Sequence, residues 1–146
     1  MLVFYRGLHC PVCRSYLGEL TQRLADFQAR GVDVLALSGD DADHALRARD
    51  EWELGGLPVG YGLSEGAMHE WGLYVSGAIK EDEPERFNEP GLFLIDPEDE
   101  TFYVALNSMP FGRPKLADIL DAVDFVTGED YPARGEAAVG ASGVTG

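Results

Sequence analysis

The sequence has little positive charge and no long hydrophobic run. Of its 146 residues only 11 are Lys or Arg, against 26 Asp or Glu, which gives a formal net charge of −15. Such a chain has no basic stripe for phosphates, so we expect neither nucleic acid nor an anionic membrane surface as a partner. No apolar stretch approaches the roughly 18 residues that a membrane span requires. The first residues are too short an apolar stretch for a signal peptide, so we expect a cytoplasmic protein.

Cysteine is scarce as well, since the chain has only Cys10 and Cys13. Secreted disulfide scaffolds use more cysteines, and a bridge that closes so short a loop adds little stability. A zinc site needs further ligands, and no second Cys or His pair stands at ligand spacing. The pair therefore favours redox chemistry over a structural metal. We expect no metal and no organic cofactor, because no Gly-x-Gly-x-x-Gly turn follows a predicted strand.

The hydrophobic pattern predicts one α/β domain over residues 1–128 and a C-terminal extension over residues 129–146. The predicted elements, in chain order, are a strand at residues 2–5, a helix at 11–30, a strand at 32–38, helices at 40–54 and 64–71, a hairpin at 91–106 and a helix at 114–127. The order β–α–β–α–α–β–β–α predicts a central mixed sheet with helices on both faces. Residues 57–63 are ambiguous, residues 76–90 read as a solvated loop, and residues 133–146 are predicted to be disordered.

The strongest chemical signal is the position of Cys10, between a predicted strand and a helix that opens at Pro11. A thiol at the amino end of a helix faces free backbone N–H groups and the positive end of the helix dipole, which stabilise the thiolate. Cys13 lies one turn along and can attack whatever Cys10 has bound. Cys13 falls on the apolar face of the helix, whereas we expect Cys10 to be exposed. Inert buried thiols are the structural alternative.

At these residues the chain resembles a known group. The stretch from Leu2 to Cys13 is similar to the active-site strand and helix of the thioredoxin superfamily. The motif Arg-Gly-x-His-Cys-Pro-x-Cys most resembles that of peroxiredoxin-like proteins of the alkyl hydroperoxide reductase/thiol-specific antioxidant family. The segment from Pro90 to Pro97 resembles the family's strand before its hairpin. The resemblance implies a thioredoxin-like fold, an attacking Cys10 and a resolving Cys13.

The same resemblance suggests substrate-binding roles for four neighbours of the cysteines. Pro90 lies where thioredoxins keep a cis-proline facing the cysteine pair, and a cis bond there leaves backbone groups free for an extended substrate. His9 replaces the tryptophan of thioredoxins and either tunes the thiolate or lies at the surface. Arg6 either adds positive potential near Cys10 or faces solvent, and Pro11 stiffens the turn between the cysteines.

Three positions depart from the usual peroxiredoxin pattern. Val3 and Gly7 stand where the family's Pro-x-x-x-Thr-x-x-Cys motif has Pro and Thr, and Pro90 fills the position of an Arg that orients the peroxide. Without that hydroxyl and that guanidinium the leaving oxygen loses its usual donors, whereas dithiol exchange needs neither. Asp26 is a candidate proton acceptor, or a helix residue that faces water.

The chain begins at the active-site strand, without the strand and helix that precede it in thioredoxin. We therefore expect residues 32–38 to form an uncovered sheet edge, and a homodimer or another cover for it. The predicted function is thiol oxidoreduction of a disulfide or a hydroperoxide, with an external thiol as reductant. The alternatives are a copper-binding module that uses the Cys-Pro-x-Cys pair and a redox-sensing interaction domain.

Overall fold

A computed structural model describes residues 1–137 of the chain. The helices and strands of this part are, in chain order, β1 Leu2–Phe4, α1 Pro11–Gln22, α2 Leu24–Ala29, β2 Leu35–Leu37, α3 Ala42–Glu51, β3 Val59–Gly60, α4 Glu65–Glu70, β4 Val75–Gly77, β5 Arg86–Asn88, β6 Gly91–Ile95, β7 Thr101–Leu106 and α5 Leu116–Gly128. The order agrees with the predicted alternation of strands and helices, with three further short strands.

Five strands form one central mixed sheet in the order β3-β2-β1-β6-β7. The strands β1, β2 and β3 are parallel, β6 is antiparallel to β1, and β7 is antiparallel to β6. The strand β7 therefore points the same way as β1. The carboxyl ends of β1, β2, β3 and β7 and the amino end of β6 consequently meet at one edge of the sheet, which is where α/β folds gather functional groups.

Alternation along β1 divides the core between the two faces of this sheet. Val3 and Tyr5 belong to a buried cluster with apolar side chains of α1, α2 and α5. Phe4 belongs to a second cluster with Met68 of α4 and Phe93 of β6. Helices therefore cover both faces, which confirms the predicted architecture. The strand that leads to Cys10 is held from both sides.

The expectation of an open edge at residues 32–38 is wrong. The ambiguous segment that follows α3 contributes β3, which pairs with β2 at Ala36↔Val59 and Leu37↔Gly60. Gly60 permits this approach, because a Cβ there would lie only 3.2 Å from the Leu37 Cβ. Within the described residues, β7 has a neighbour on one side only. The same holds for β3, so the two edge strands of the sheet are β3 and β7, and β2 is an interior strand.

Two further boundaries differ from the prediction. The ends of the expected loop at residues 76–90 form β4 and β5, which pair as a two-stranded antiparallel sheet with Ser76 opposite Phe87. The first helix is also two helices, because the backbone at Arg23 (φ −97°, ψ 2°) ends α1 before α2 begins. Leu24 and Phe27 nevertheless stay buried, as the periodicity predicts.

In residues 1–137, no helix is long and apolar enough to cross a membrane. The last helix, α5, buries Leu116, Ile119, Leu120 and Val123 against the sheet. Beyond it, residues 131–137 contain no helix or strand. The rest of the predicted disordered segment, residues 138–146, lies outside the described part of the chain.

Candidate active site

Cys10 is the N-cap residue of α1, which confirms its predicted place between strand and helix. Its non-helical backbone (φ −102°, ψ 105°) marks the start of the helix, and Pro11 occupies the first turn, where a missing N–H is harmless. The Cys10 Sγ accepts a hydrogen bond from the backbone N–H of Cys13 at 3.3 Å. The sulfur thus occupies the position in which a side-chain oxygen usually caps a helix.

The expectation that Cys10 is exposed is wrong. Its residue exposure is 1%, and that of Cys13 is 0%. Packing explains the burial, because the Cys10 side chain lies in the apolar cluster of the core, whereas Asp41 and Ser64, which cap α3 and α4 in the same way, remain exposed. Both sulfurs join the apolar cluster that contains Tyr5 and Leu17. The structure has both as free thiols.

A buried ion pair stands beside Cys10. The Arg6 Nη1 lies 4.0 Å from the Cys10 Sγ, and the Arg6 Nε lies 3.0 Å from Oε2 of Glu89. The Glu89 carboxylate is almost fully buried and accepts a hydrogen bond from the Ser76 hydroxyl at 2.7 Å. The Arg6 guanidinium also stacks on the Phe87 ring, 4.8 Å from its centroid. Arg6 is therefore fixed with its charge directed toward the Cys10 sulfur.

These contacts lower the pKa of the Cys10 thiol to about 6. The largest cause is a hydrogen bond from the Cys13 side chain, and burial opposes it. The Cys13 backbone N–H and the Arg6 guanidinium lower the pKa further. Thiolate is the nucleophilic form of cysteine, so most of the Cys10 thiol is in its reactive, ionised form at neutral pH.

Cys13 has the opposite character. Burial raises the pKa of its thiol far above the ordinary value, and the hydrogen bond to Cys10 raises it further. The Arg113 guanidinium opposes this rise, since its Nη2 lies 3.1 Å from the Cys13 Sγ. At neutral pH the pair therefore holds one proton, on Cys13, and one negative charge, on Cys10.

Arg113 is absent from the sequence-based candidates. It lies just before α5, and its guanidinium stacks on the Tyr16 ring of α1 at 4.8 Å from the centroid. The Tyr16 hydroxyl donates to the Pro114 carbonyl at 2.7 Å, which ties this loop to α1. The signal that could identify Arg113 is the topology of the sheet. Arg113 follows β7, which is parallel to β1, so it returns to the sheet edge that carries Cys10.

His9 and Pro11 line a groove beside Cys10. The groove, of about 880 Å³, runs between the amino ends of α1 and α3 and the loop that joins β4 to β5. The His9 ring lies edge-on to Phe87, with centroids 4.7 Å apart. Burial and the Arg6 charge both lower the pKa of His9. His9 is therefore neutral at pH 7 and adds no positive charge to the Cys10 thiolate.

The groove walls carry charges of both signs. The lining side chains with formal or titratable charge are His9, Arg14, Asp40, Asp41, His44, Arg47, Glu51, Glu81, Asp82 and Glu83. Several are neutralised by neighbours, as in the ion pair of 3.0 Å between Arg47 and Glu51. In the part of the chain that the structure describes, no three His, Cys, Asp or Glu side chains cluster as a metal site.

A model of the AhpC/TSA family matches residues 1–103. The chain belongs to the AhpC/TSA family. This confirms the resemblance carried by the Cys-Pro-x-Cys segment. The family match also includes Arg6, which follows β1, and Glu89, which lies between β5 and β6, whereas Arg113 lies beyond it.

Solved peroxiredoxins share the fold of this AhpC/TSA chain at low identity. A cysteine-to-serine mutant of the peroxiredoxin 6 of Arenicola marina matches with a TM-score of 0.72 and 19% identity, over 89% of this chain and 61% of that one. The reduced 2-Cys peroxiredoxin of Plasmodium vivax matches with a TM-score of 0.68 and 20% identity, over 88% of this chain and 77% of that one. A peroxiredoxin-like protein from Aquifex aeolicus matches with a TM-score of 0.68 and 22% identity, over 84% of this chain and 68% of that one.

These likenesses establish the thioredoxin-like fold of peroxiredoxins for this chain. The chain spans about three fifths of the length of the peroxiredoxin 6 it matches.

The structure explains why this AhpC/TSA member has glycine at the position of the usual threonine. Gly7 has φ +138°, a conformation that side-chain-bearing residues rarely adopt. A Cβ on Gly7 would lie 2.6 Å from Oδ1 of Asp40. The Asp40 carboxylate is held in this place, because it accepts a hydrogen bond from the backbone N–H of Leu8 at 2.9 Å. A threonine hydroxyl thus has no room beside Cys10. Val3, at the position of the usual proline, is an ordinary core residue of β1.

Pro90 differs from the expectation drawn from thioredoxins. No peptide bond in residues 1–137 is cis, so the bond before Pro90 is trans. Pro90 is buried at the amino end of β6, where it lines a small cavity with Tyr16 and Arg113. Its carbonyl accepts the backbone N–H of Asn107 and is not free for a substrate chain. Asp26 is exposed on α2 and faces water.

Proposed function

We propose that the protein is a thiol oxidoreductase of peroxiredoxin-like type, with Cys10 as the nucleophile and Cys13 as the resolving thiol. The observation that carries the proposal is the geometry of the pair. The Cys10 sulfur caps α1, with the Cys13 N–H at 3.3 Å and the Arg6 guanidinium at 4.0 Å, and Cys13 lies one turn along the same helix. These contacts lower the pKa of the Cys10 thiol to about 6, whereas burial raises that of Cys13. Membership of the AhpC/TSA family supports the same chemistry.

With a hydroperoxide, the Cys10 thiolate attacks the terminal oxygen and the O–O bond breaks. The alkoxide or hydroxide leaves with a proton, and Cys10 becomes a sulfenic acid. Cys13 then attacks the Cys10 sulfur, the S–O bond breaks, and water leaves as the Cys10–Cys13 disulfide forms. With a disulfide substrate, the Cys10 thiolate attacks one sulfur, the substrate S–S bond breaks, and the first substrate thiolate leaves as the mixed disulfide forms. Cys13 then attacks the Cys10 sulfur and displaces the second substrate thiolate as the Cys10–Cys13 disulfide forms. An external thiol reduces the pair in either case.

The geometry supports disulfide exchange more directly than rapid peroxide reduction. Gly7 brings no hydroxyl and Pro90 brings no guanidinium to the leaving oxygen. Arg6 is the cation that stands nearest to the Cys10 sulfur, and Glu89 neutralises part of its charge. We therefore propose that disulfide reduction is the faster reaction and that any peroxidase activity depends on Arg6.

A substrate reaches the buried Cys10 sulfur through the groove in front of His9 and Pro11. This route is favoured because the groove meets the chain on either side of Cys10. Six of the lining side chains are carboxylates and two are arginines, so the groove favours neutral or basic substrates over anionic ones.

The test measures insulin disulfide reduction and hydrogen peroxide consumption side by side with dithiothreitol as reductant. We expect Cys10→Ser to lose both activities. In a separate incubation without dithiothreitol, Cys13→Ser should stop after the first attack and carry the disulfide substrate as a mixed disulfide on Cys10, which mass spectrometry detects. Ser15→Ala, an exposed change on the same helix, serves as the control. Full turnover by Cys10→Ser would reject the mechanism.

We also propose that the protein self-associates through β7. This strand lies at one of the two edges of the described sheet, and it exposes Val104 and Leu106 by 46% and 41%. Edge strands with exposed apolar side chains favour pairing with another chain. Sedimentation should give a dimer that Val104→Lys dissociates, and a wild-type monomer at micromolar concentration would contradict this.

A further inference from the structure

Each sulfur of the pair has a guanidinium of its own. Arg6 stands by Cys10, and Arg113 lies closer still to Cys13, with 3.1 Å between Nη2 and Sγ. A cation beside the nucleophile is understandable, because it stabilises the reactive thiolate. A cation beside a thiol that is protonated in the resting pair has no role in that first step. It points to a later one.

The two guanidinium groups differ in how their charge is compensated. Arg6 forms an ion pair with buried Glu89. No ion pair within residues 1–137 includes Arg113. Among the same residues its Nη1 is buried without a hydrogen-bond partner, and its flat face rests on Tyr16. Within the described part of the chain, the Arg113 charge therefore has no carboxylate partner and is directed at the Cys13 sulfur.

The groups that surround Cys13 determine when the Arg113 charge acts. The residues that face Cys13 are Cys10 at the start of α1, Tyr5 and Arg6 just after β1, and Arg113 before α5. Burial raises the pKa of Tyr5 to about 12, so its phenol stays neutral. In the resting pair the Cys10 thiolate accepts the Cys13 proton in a hydrogen bond and repels a second negative charge. Once Cys10 has reacted, its sulfur is neutral and both effects end.

We infer that Arg113 activates the resolving thiol, and that it does so only after Cys10 has been consumed. This rests on the proposed dithiol function and adds a catalytic residue to its second step. Cys13 loses its proton to solvent, and Arg113 stabilises the thiolate that remains. The thiolate attacks the Cys10 sulfur, the bond from Cys10 to the bound group breaks, and that group leaves with the electron pair and takes up a proton. Arg113 then faces a neutral disulfide.

Dithiodipyridine separates the two steps, because each attack releases one absorbing thiopyridone. This reagent is neutral, so a change of protein charge does not alter its approach. We expect Arg113→Gln to leave the first release unchanged and to slow the second about tenfold at pH 7, the effect of one unit in the pKa of a thiol. Raising the pH should restore the second rate. Arg113→Lys should keep most of it, and Arg23→Gln, at the far end of α1, should alter neither release.

Each outcome bears on a separate statement. A second release that is unchanged in Arg113→Gln would overturn the inference. A second release that is slowed equally at every pH would also overturn it, because Arg113 would then only hold the loop in place. Loss of the first release in the wild-type protein would instead reject Cys10 as the nucleophile, and with it the proposed function. Arg113→Lys keeps the inference testable if the glutamine variant fails to fold.

Discussion

The two sulfurs lie three residues apart on one helix, yet their surroundings differ in origin. Cys10 is stabilised as an anion by groups that are near in sequence, namely the Cys13 N–H and side chain and the Arg6 guanidinium. Cys13 is buried more deeply, and its cation comes from a loop 100 residues away. Local structure therefore prepares the nucleophile, whereas tertiary structure controls the resolving thiol. A dithiol enzyme gains an ordered reaction from this difference, since only one sulfur is reactive at first.

The largest expected effect comes from the backbone that supports the Cys10 side of this comparison. Gly7→Ala must adopt φ near +138° and bring a Cβ to within 2.6 Å of the Asp40 carboxylate. We expect a loss of roughly 2–3 kcal/mol in the free energy of unfolding. Urea denaturation measures it, with Gly18→Ala on α1, where a Cβ meets no neighbour, as the matched control. A Gly7→Ala variant as stable as wild type would show that the loop before Cys10 is not constrained.

The second effect is a pH dependence of stability that belongs to Cys10. Its pKa is lowered from 9.0 to about 6 in the folded protein, so between these values the unfolded chain binds the additional proton. Stability from this group is full above pH 9 and is lost as the pH falls through 6. The expected slope is at most about 1.4 kcal/mol per pH unit.

Comparing the reduced protein with Cys10→Ser isolates this contribution, because the other titrating groups are shared. The difference in unfolding free energy between the two should grow from pH 6 to pH 8. Equal pH profiles for the two proteins would contradict a stabilised Cys10 thiolate.

The third effect is the smallest and sharpens the comparison between the two cations. Arg6→Gln removes the charge beside Cys10 and leaves Arg113 in place. We expect the first release from dithiodipyridine to slow by a factor of up to about ten, since hydrogen bonds to charged groups contribute about 1.5–3 kcal/mol and only part of this is lost here. The second release should be unaffected. If both releases slow together, Arg6 and Arg113 do not act on separate sulfurs.

The parts of the site that can be predicted from the sequence are those governed by local rules. The cap at Cys10 and the first-turn position of Pro11 follow from residues that are adjacent in the chain. The two apolar faces of β1 follow from alternation. Arg113 cannot be found in this way, because its contact with Cys13 depends on the direction of β7 relative to β1.

The wrong predictions concern contacts between distant parts of the chain. The helical pattern predicts an exposed Cys10, because this residue precedes the apolar face, yet its sulfur lies in the apolar cluster of the core. The open edge at residues 32–38 is expected from the strand order of the thioredoxin fold, yet the ambiguous segment at residues 57–63 supplies β3, and Gly60 permits its approach to β2. Both outcomes depend on tertiary packing that a local pattern does not contain.

The central claim is that the Cys10 sulfur is an anion at neutral pH while Cys13 keeps its proton. Ultraviolet absorbance of the thiolate, followed during a pH titration of the reduced protein, tests this most directly. The absorbance should rise by one thiolate with a midpoint of about 6, and this step should vanish in Cys10→Ser. A wild-type protein whose first thiolate appears only above about pH 8, near the ordinary pKa of a free thiol, or whose two thiols ionise together, would contradict the account.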